Sequence, residues 1–541
     1  MVTQDFTAST KKLIDDLKGV CANYGLGNDG NEFKIITQVF LYKFMNDKFS
    51  HEVKQLDSNL KNSPNWEQDI AVYTDKKYEM LLLRMGPDSA KLKREHFLSF
   101  LHNNQNSEEF AKLFDDTLRD IAIFNNDIFS VKTGSGVKVT LFDELSQFIA
   151  DKSQRDNFCR ALINPLVNFS FEKIFHQKFD FFSTIFEYLI SDYNKDGGGK
   201  YAEYYTPHAV SKIMASILVD KPVKNVTCYD PAAGSGTLLM NLAHAIGEKN
   251  CTIYSQDISQ KSSSMLRLNL ILNNLVHSIQ NIIQGNTLKD PYHKKGDKLA
   301  TFDYIVSNPP FKLDFSDWRN DLDTKQNNER FFAGIPKIPA KDKDKMAIYL
   351  LFIQHIMYSL SDKGKAAVVV PTGFITAQSG IEKNIREKLV DQKMLRGVVS
   401  MPSNIFATTG TNVSVLFLDK SNIKGDIVLM DASKLGTTIK DGKNQKTLLS
   451  FDEEELIVKT FNEHKAVEDF TVVVSYEQIK EKNYSLSAGQ YFDVKIEYVD
   501  ISPEEFEAIM KGFEDNLNQL FTESRALETD IKNNLQGLKY E

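Results

Sequence analysis

Tyr229-Asp230-Pro231-Ala232-Ala233-Gly234-Ser235-Gly236-Thr237-Leu238-Leu239 follows a β-branched run, Val226-Thr227-Cys228-Tyr229, and opens a helical segment over 238–244. Gly234 and Gly236 let the backbone turn tightly and come close to a ligand. A dinucleotide fingerprint needs a third glycine three residues after the second, and Leu239 stands there. A phosphate-cradling loop needs Gly-Lys-Ser/Thr, which this run lacks. The turn therefore suits a nucleoside ligand without a pyrophosphate. Taken alone, it reads equally well as a bare strand-to-helix turn.

Outward from this turn, short apolar runs at 252–255, 304–306, 366–370, 395–399 and 413–418 alternate with helical segments. Strands interleaved with helices predict a doubly wound, Rossmann-like α/β sheet. About 20 residues past the turn, Asp257 ends the next strand. An acid there can accept hydrogen bonds from both hydroxyls of a ribose, or cap the helix that follows.

Phe302-Asp303-Tyr304-Ile305-Val306-Ser307-Asn308-Pro309-Pro310-Phe311 is a strand that runs into Asn-Pro-Pro-aromatic. Two prolines fix the backbone and, lacking N–H groups, leave carbonyls free. The Asn308 side-chain carbonyl and the Pro309 carbonyl can then accept two hydrogen bonds from one planar NH2 group. Phe311 offers a face for a planar ring. Two such acceptors push a conjugated nitrogen towards sp3 and make its lone pair available, with no metal and no covalent intermediate. The competing reading is a rigid turn. Upstream, in Glu203-Tyr204-Tyr205-Thr206-Pro207-His208, Thr206 reads as the cap of a helix whose first position is Pro207.

At ~150 residues per domain, 541 residues suggest two to four domains. Residues 1–165 read as a helical N-terminal domain, 166–480 as the α/β domain, and 481–541 as a C-terminal segment with one long helix. Asp196-Gly197-Gly198-Gly199-Lys200 is a breaker, and 312–345 is a long polar interruption, expected to be a functional or disordered loop. Phe506, Met510, Phe513, Leu517, Leu520, Leu527 and Ile531 step by fours and threes, with Ser524 as a polar break, which predicts a coiled-coil seam.

Hydrophobic residues are 42% and charged residues 26%, which argues against a disordered chain. No apolar run approaches the ~20 residues of a membrane span, and the N-terminus lacks a secretory pattern. Four cysteines without close spacing argue against a disulfide scaffold or a zinc cluster, so no metal is expected and a reducing cytoplasm is. The net charge of −8 is uneven: from Phe451 onward 9 basic residues face 21 acidic ones, leaving 56 against 52 before it. A surface that grips nucleic acid throughout would be more basic, so such contact is local or shared with a partner.

Together these motifs resemble the S-adenosylmethionine-dependent DNA amino-methyltransferases, in their gamma order. The resemblance implies a cofactor loop at Asp230, Ala232, Gly234, Ser235, Gly236 and Thr237, a ribose acid at Asp257, and an adenine-ring contact at Asn286 in Gly285-Asn286-Thr287. It implies that Glu203, Tyr204, Tyr205, Thr206, Pro207 and His208 close over the methionine end. Asn308, Pro309, Pro310 and Phe311 would be catalytic, and Phe406 of Pro402-Ser403-Asn404-Ile405-Phe406 would stack with Phe311 on a flipped base. More closely, the chain resembles the modification subunit of a type I restriction–modification system, up to Tyr484-Ser485-Leu486-Ser487-Ala488-Gly489-Gln490-Tyr491 and the final helix. One departure is Ala233-Gly234-Ser235-Gly236, where many such subunits carry Gly-Thr-Gly or Thr-Ala-Gly variants.

The implied partners are double-stranded DNA, a specificity subunit, a second copy of the chain and a restriction subunit. The loop at 312–345 is expected to be mobile without DNA and ordered with it. No cysteine follows a proline, which leaves cytosine C5 chemistry unsupported. Asn-Pro-Pro-Phe resembles N6-adenine enzymes more than the Ser-Pro-Pro-Tyr of N4-cytosine enzymes. Protein glutamine N5-methyltransferases share the motif but are much shorter. A nucleoside-binding scaffold without catalysis is the remaining alternative.

Overall fold

Ala366, Ala367, Val368, Val369 and Val370 are all buried, as a central strand covered on both faces requires. They belong to an eleven-stranded sheet in a computed structural model, which describes residues 2–27, 30–133, 138–139, 141–172, 175, 206–406, 412–441, 444–492 and 501–537. Its strands are β1 (Val131–Thr133), β2 (Lys138–Val139), β3 (Val226–Asp230), β4 (Cys251–Asp257), β5 (Ile282–Gln284), β6 (Phe302–Ser307), β7 (Leu360–Pro371), β8 (Leu395–Ser400), β9 (Val413–Asp419), β10 (Ile427–Asp431) and β11 (Thr471–Val474). Their order in the sheet is β11-β10-β8-β9-β7-β6-β3-β4-β5-β1-β2.

The pairs from β5 through β4, β3 and β6 to β7 are parallel. Strand β9 is inserted antiparallel between β7 and β8. Chain direction along the sheet reverses between β3 and β6, which are neighbours although β4 and β5 come between them in sequence. A crevice at such a switch point, outside the carboxyl ends of the strands, is where open α/β sheets bind ligands.

Ahead of the sheet, the chain is mostly helical: α1 (Val2–Asn23), α2 (Gly30–Leu56), α3 (Phe110–Phe124) and α4 (Arg155–Val167). In α3 the buried Phe110, Phe114, Leu118 and Ile121 recur at helical spacing and face the core. This segment sends one hairpin, β1–β2, into the sheet, with Lys132 opposite Ile283 of β5. The helices that flank the central strands are α5 (His208–Leu218), α6 (Thr237–Ile246), α7 (Gln260–Leu272), α8 (Tyr349–Ser359) and α9 (Phe451–Asn462). The breaker at 196–200 lies outside the described residues.

Residues Met1–Tyr491 form one compact unit and Phe492–Glu541 a second. The second unit is α10 (Pro503–Gly537). A reciprocal cap starts it: the Ser502 N–H donates to Glu505 Oε2 at 2.8 Å and the Glu505 N–H to Ser502 Oγ at 3.2 Å. Among the described residues of this unit nothing covers its apolar seam. Among the described residues no helix is long and apolar enough to cross a membrane. Nor is any group of three His, Cys, Asp or Glu side chains among them arranged to hold a metal ion.

Candidate active site

Asp230 ends β3, and its Oδ1 accepts from the Ala232 N–H and from the Ser307 hydroxyl, both at 2.9 Å. The chain then turns through Gly234 (φ 53°) and Gly236 (φ 84°) into α6. A side chain at Gly236 would be strained twice over, since its Cβ would lie 2.2 Å from Leu266 Cδ1. The Gly234 N–H donates to Asp257 Oδ2 at 3.0 Å, joining the turn to the end of β4. Asn269 on α7 holds the Ser235 carbonyl at 2.7 Å.

Asp257 does not cap the next helix. Ser259 does, accepting from the Ser262 N–H at 3.2 Å, while Asp257 Oδ1 accepts from the Ser259 N–H at 2.8 Å. Each carboxylate oxygen has two acceptor lone pairs, so each keeps one beyond its backbone partner. Burial pushes the Asp257 carboxyl above its ordinary range, and the two N–H bonds pull it back. Burial also pushes Asp230 up, to about 7, against its Ala232 and Ser307 bonds and with the help of the Asp257 charge. Beyond β5, Asn286 Oδ1 accepts from the Leu288 and Lys289 N–H groups, which leaves its Nδ2 as the available donor. Thr287 Oγ1 donates to the Pro231 carbonyl at 2.7 Å.

Asn308 follows the last residue of β6, and its Nδ2 donates to Thr206 Oγ1 at 3.1 Å. This corrects the sequence reading of Thr206 as a helix cap. The helix begins one residue later, at His208, with Pro207 in the cap position and no side-chain cap bond. The Asn308 contact claims the hydroxyl instead. The Pro309 carbonyl accepts no hydrogen bond among the described residues. Phe311 meets Tyr349 edge to face, with ring centroids 6.2 Å apart.

Thr206, Asp230, Ala232, Gly234, Ser235, Thr237, Asp257, Asn286, Asn308 and Pro310 converge on one cleft. Pro207, His208, Gly236, Pro309, Phe311 and Phe406 are not part of its lining. Phe311 and Phe406 are half-buried against the main core. Glu203, Tyr204 and Tyr205 lie outside the described residues.

Residues 177–498 match the family described as N-6 DNA methylase. The chain belongs to this family. Over 98% of its length it is 27% identical to the methylase subunit of the type I restriction enzyme MpnII of Mycoplasma pneumoniae, and it covers 95% of that protein. It is 28% identical to the MjaIX methylase subunit of Methanocaldococcus jannaschii, over 70% of this chain and 67% of that one. Its fold is that of a type I restriction–modification methyltransferase subunit from Streptococcus thermophilus, with a TM-score of 0.70, 21% identity, and 91% and 99% of the two chains covered.

The cleft of this N-6 DNA methylase has an apolar side that sequence reasoning missed: Ile258, Leu288, Leu313, Trp318, Ile348 and Phe352. Ile258 was the legible one, since it directly follows the strand-end acid, and it is 66% exposed. Leu313 and Trp318 come from the interruption at 312–345. Of the two expected readings of this segment, functional or disordered, the second does not match its packing. Phe315, Leu322 and Phe331 are buried in a small cluster with Leu288, Met346, Ile348, Leu351 and Phe352.

Arg330, also from this insert, is 3% exposed. It donates to the Leu288 carbonyl at 2.7 Å, the Thr287 carbonyl at 2.9 Å and His355 Nδ1 at 3.0 Å. Burial and then the Arg330 charge hold His355 well below the usual imidazole range, so the ring is neutral. With Nδ1 accepting, Nε2–H donates to the Tyr229 hydroxyl at 3.2 Å. The insert is thus pinned under the backbone that lines the cleft.

Proposed function

We propose that this methylase transfers the methyl group of S-adenosylmethionine to the N6 amino group of adenine in double-stranded DNA. The observation that carries the reading is the convergence of Asp257, the glycine turn and Asn308 on a single cleft at the β3–β6 switch point. The cleft's chemistry fits the cofactor. Among its described lining residues are two carboxylates and no Lys or Arg, which disfavours a phosphate and suits a cationic nucleoside. When bound, S-adenosylmethionine supplies a methyl group on a positively charged sulfur.

Asp257 holds the ribose through its remaining lone pairs, with Ile258 as an apolar face for the adenine ring and Asn286 Nδ2 as a donor beside it. Asn308 Oδ1 and the Pro309 carbonyl accept the two hydrogens of the target amine. A base paired in a duplex cannot reach them, so it is flipped out at a cost of a few kcal/mol. Phe311 and Phe406 then stack on it. Glu203, Tyr204, Tyr205, Thr206, Pro207 and His208 close the methionine end.

The chain acts as the modification subunit, in the cytoplasm. A separate specificity subunit, a second copy and a restriction subunit complete the complex. Residues 166–480 carry catalysis and 481–541 carry subunit assembly, with the specificity subunit docked on α10, while residues 1–165 form the helical N-terminal domain. The deciding test is transfer of tritiated methyl from S-adenosylmethionine to DNA by the assembled complex, followed by nucleoside analysis. N6-methyladenine is expected. Labelled N4-methylcytosine, labelled protein or no transfer would each select one of the alternatives.

A further inference from the structure

An asparagine amide has two unlike ends, and its terminal torsion is broad and two-fold. Oδ1 accepts hydrogen bonds and Nδ2 donates them. The role assigned to Asn308 needs Oδ1 towards the target amine, which brings hydrogens. Turned by 180°, the amide would set N–H groups against N–H groups. Something must choose the productive end.

Thr206 is the one side chain bonded to the Asn308 amide among the described residues, at 3.1 Å and across 102 positions of sequence. It is 7% exposed, it lines the same cleft, and its hydroxyl caps no helix. A hydroxyl both donates and accepts, so by itself it suits either end of an amide. It selects one end only once its own hydrogen is committed elsewhere. Among the described residues no protein atom accepts that hydrogen, and the hydroxyl lies on the cleft.

We propose that Thr206 is a positioning residue that sets the polarity of Asn308. Its hydrogen goes to an acceptor atom of the ligand in the cleft, its lone pair takes the Asn308 Nδ2–H, and Oδ1 is left facing the amine. The donors then all point one way, from the target amine through Asn308 and Thr206 to the ligand, so that loading the cleft presents the acceptor to the base. This rests on the reading of Asn308 as the residue that binds the amine.

The test is a double-mutant cycle in the assembled complex. A carboxylate shows oxygen at both ends and needs no orientation, so Asn308→Asp removes the task assigned to Thr206. Thr206→Val should lower kcat by roughly 3- to 10-fold with Asn308 present, the worth of one hydrogen bond. Thr206→Ser should restore most of it. With Asp at 308, Thr206→Val should cost less than about twofold. Equal cost in both backgrounds would mean that Thr206 only holds ligand or fold, and would overturn the proposal.

An equilibrium readout stands beside the kinetics and decides alone if Asn308→Asp is inactive. With S-adenosylhomocysteine bound, the affinity lost when the target adenine is replaced by purine measures the amine contact. That loss should shrink in Thr206→Val, and an unchanged loss overturns the proposal. Full transfer by Asn308→Ala would instead overturn the underlying reading of Asn308, whatever Thr206 does.

Discussion

The Ser307 hydroxyl donates to the Asp230 carboxylate at 2.9 Å, so the last residue of β6 is tied to the last residue of β3 beneath the cleft. Asp230 is almost fully buried, and its carboxyl titrates near neutrality rather than in the acid range, at about 7.

The direction of the pH dependence follows. The folded protein holds this proton more tightly than the unfolded chain does. The stability that Asp230 contributes is therefore complete below its ordinary value of 3.8 and is lost as pH rises through about 7. Ligand preference runs the other way, because the carboxylate that forms favours a cation. The affinity for S-adenosylmethionine relative to the uncharged-sulfur product S-adenosylhomocysteine should rise between about pH 6 and pH 8. Asp230→Asn should flatten that rise in a calorimetric titration of both ligands.

Asp257 and Asn308 should separate binding from chemistry. Asp257→Ala removes the acid of the ribose side and should weaken S-adenosylmethionine by about 1.5–3 kcal/mol for each charge-assisted bond lost. Asn308→Ala should abolish methyl transfer while the calorimetric cofactor affinity stays nearly intact. Equal loss of cofactor affinity in the two variants would show that the roles are misassigned.

Arg330 offers a test of the insert. Arg330→Met leaves the Thr287 and Leu288 carbonyls without their donor and should reduce the unfolding free energy by roughly 2–4 kcal/mol in urea titrations. Trp318 is one of only two tryptophans and lines the cleft. Its emission should respond to cofactor in the wild type and respond less in the variant.

Truncation at Ser502 should leave a folded, cofactor-binding protein that no longer co-purifies with a specificity subunit and no longer methylates DNA. Co-expression followed by gel filtration checks this. Normal assembly would exclude α10 as the docking element, and an insoluble product would favour an intramolecular role for its seam.

The parts of the site that were legible in the sequence are those whose geometry is local. A glycine turn between a strand and a helix, a strand-end acid and an Asn-Pro-Pro corner each carry their shape within a few residues. The insert was not legible. Its buried Phe315, Leu322 and Phe331 recur with neither helical nor strand period, and they are diluted among charges. Nothing in composition separates the buried Arg330 from a surface arginine. The contact between Thr206 and Asn308 joins residues 102 positions apart, which no local pattern encodes. Thr206 followed by proline resembles a cap, and only the fold shows what claims its hydroxyl.

The outer neighbour of β5 is β1, contributed by the helical segment that precedes the sheet. Ile282 and Ile283 of β5 are fully buried, and two residues past the strand the chain reaches Asn286 in the cleft. A fragment cut to begin at 166 would present that short apolar strand as an open edge, the kind of surface on which sheets add foreign strands. The smallest well-behaved methylase is therefore longer than its catalytic motifs suggest, because the opening residues act as a selvedge that keeps the weave from unravelling beside the ligand.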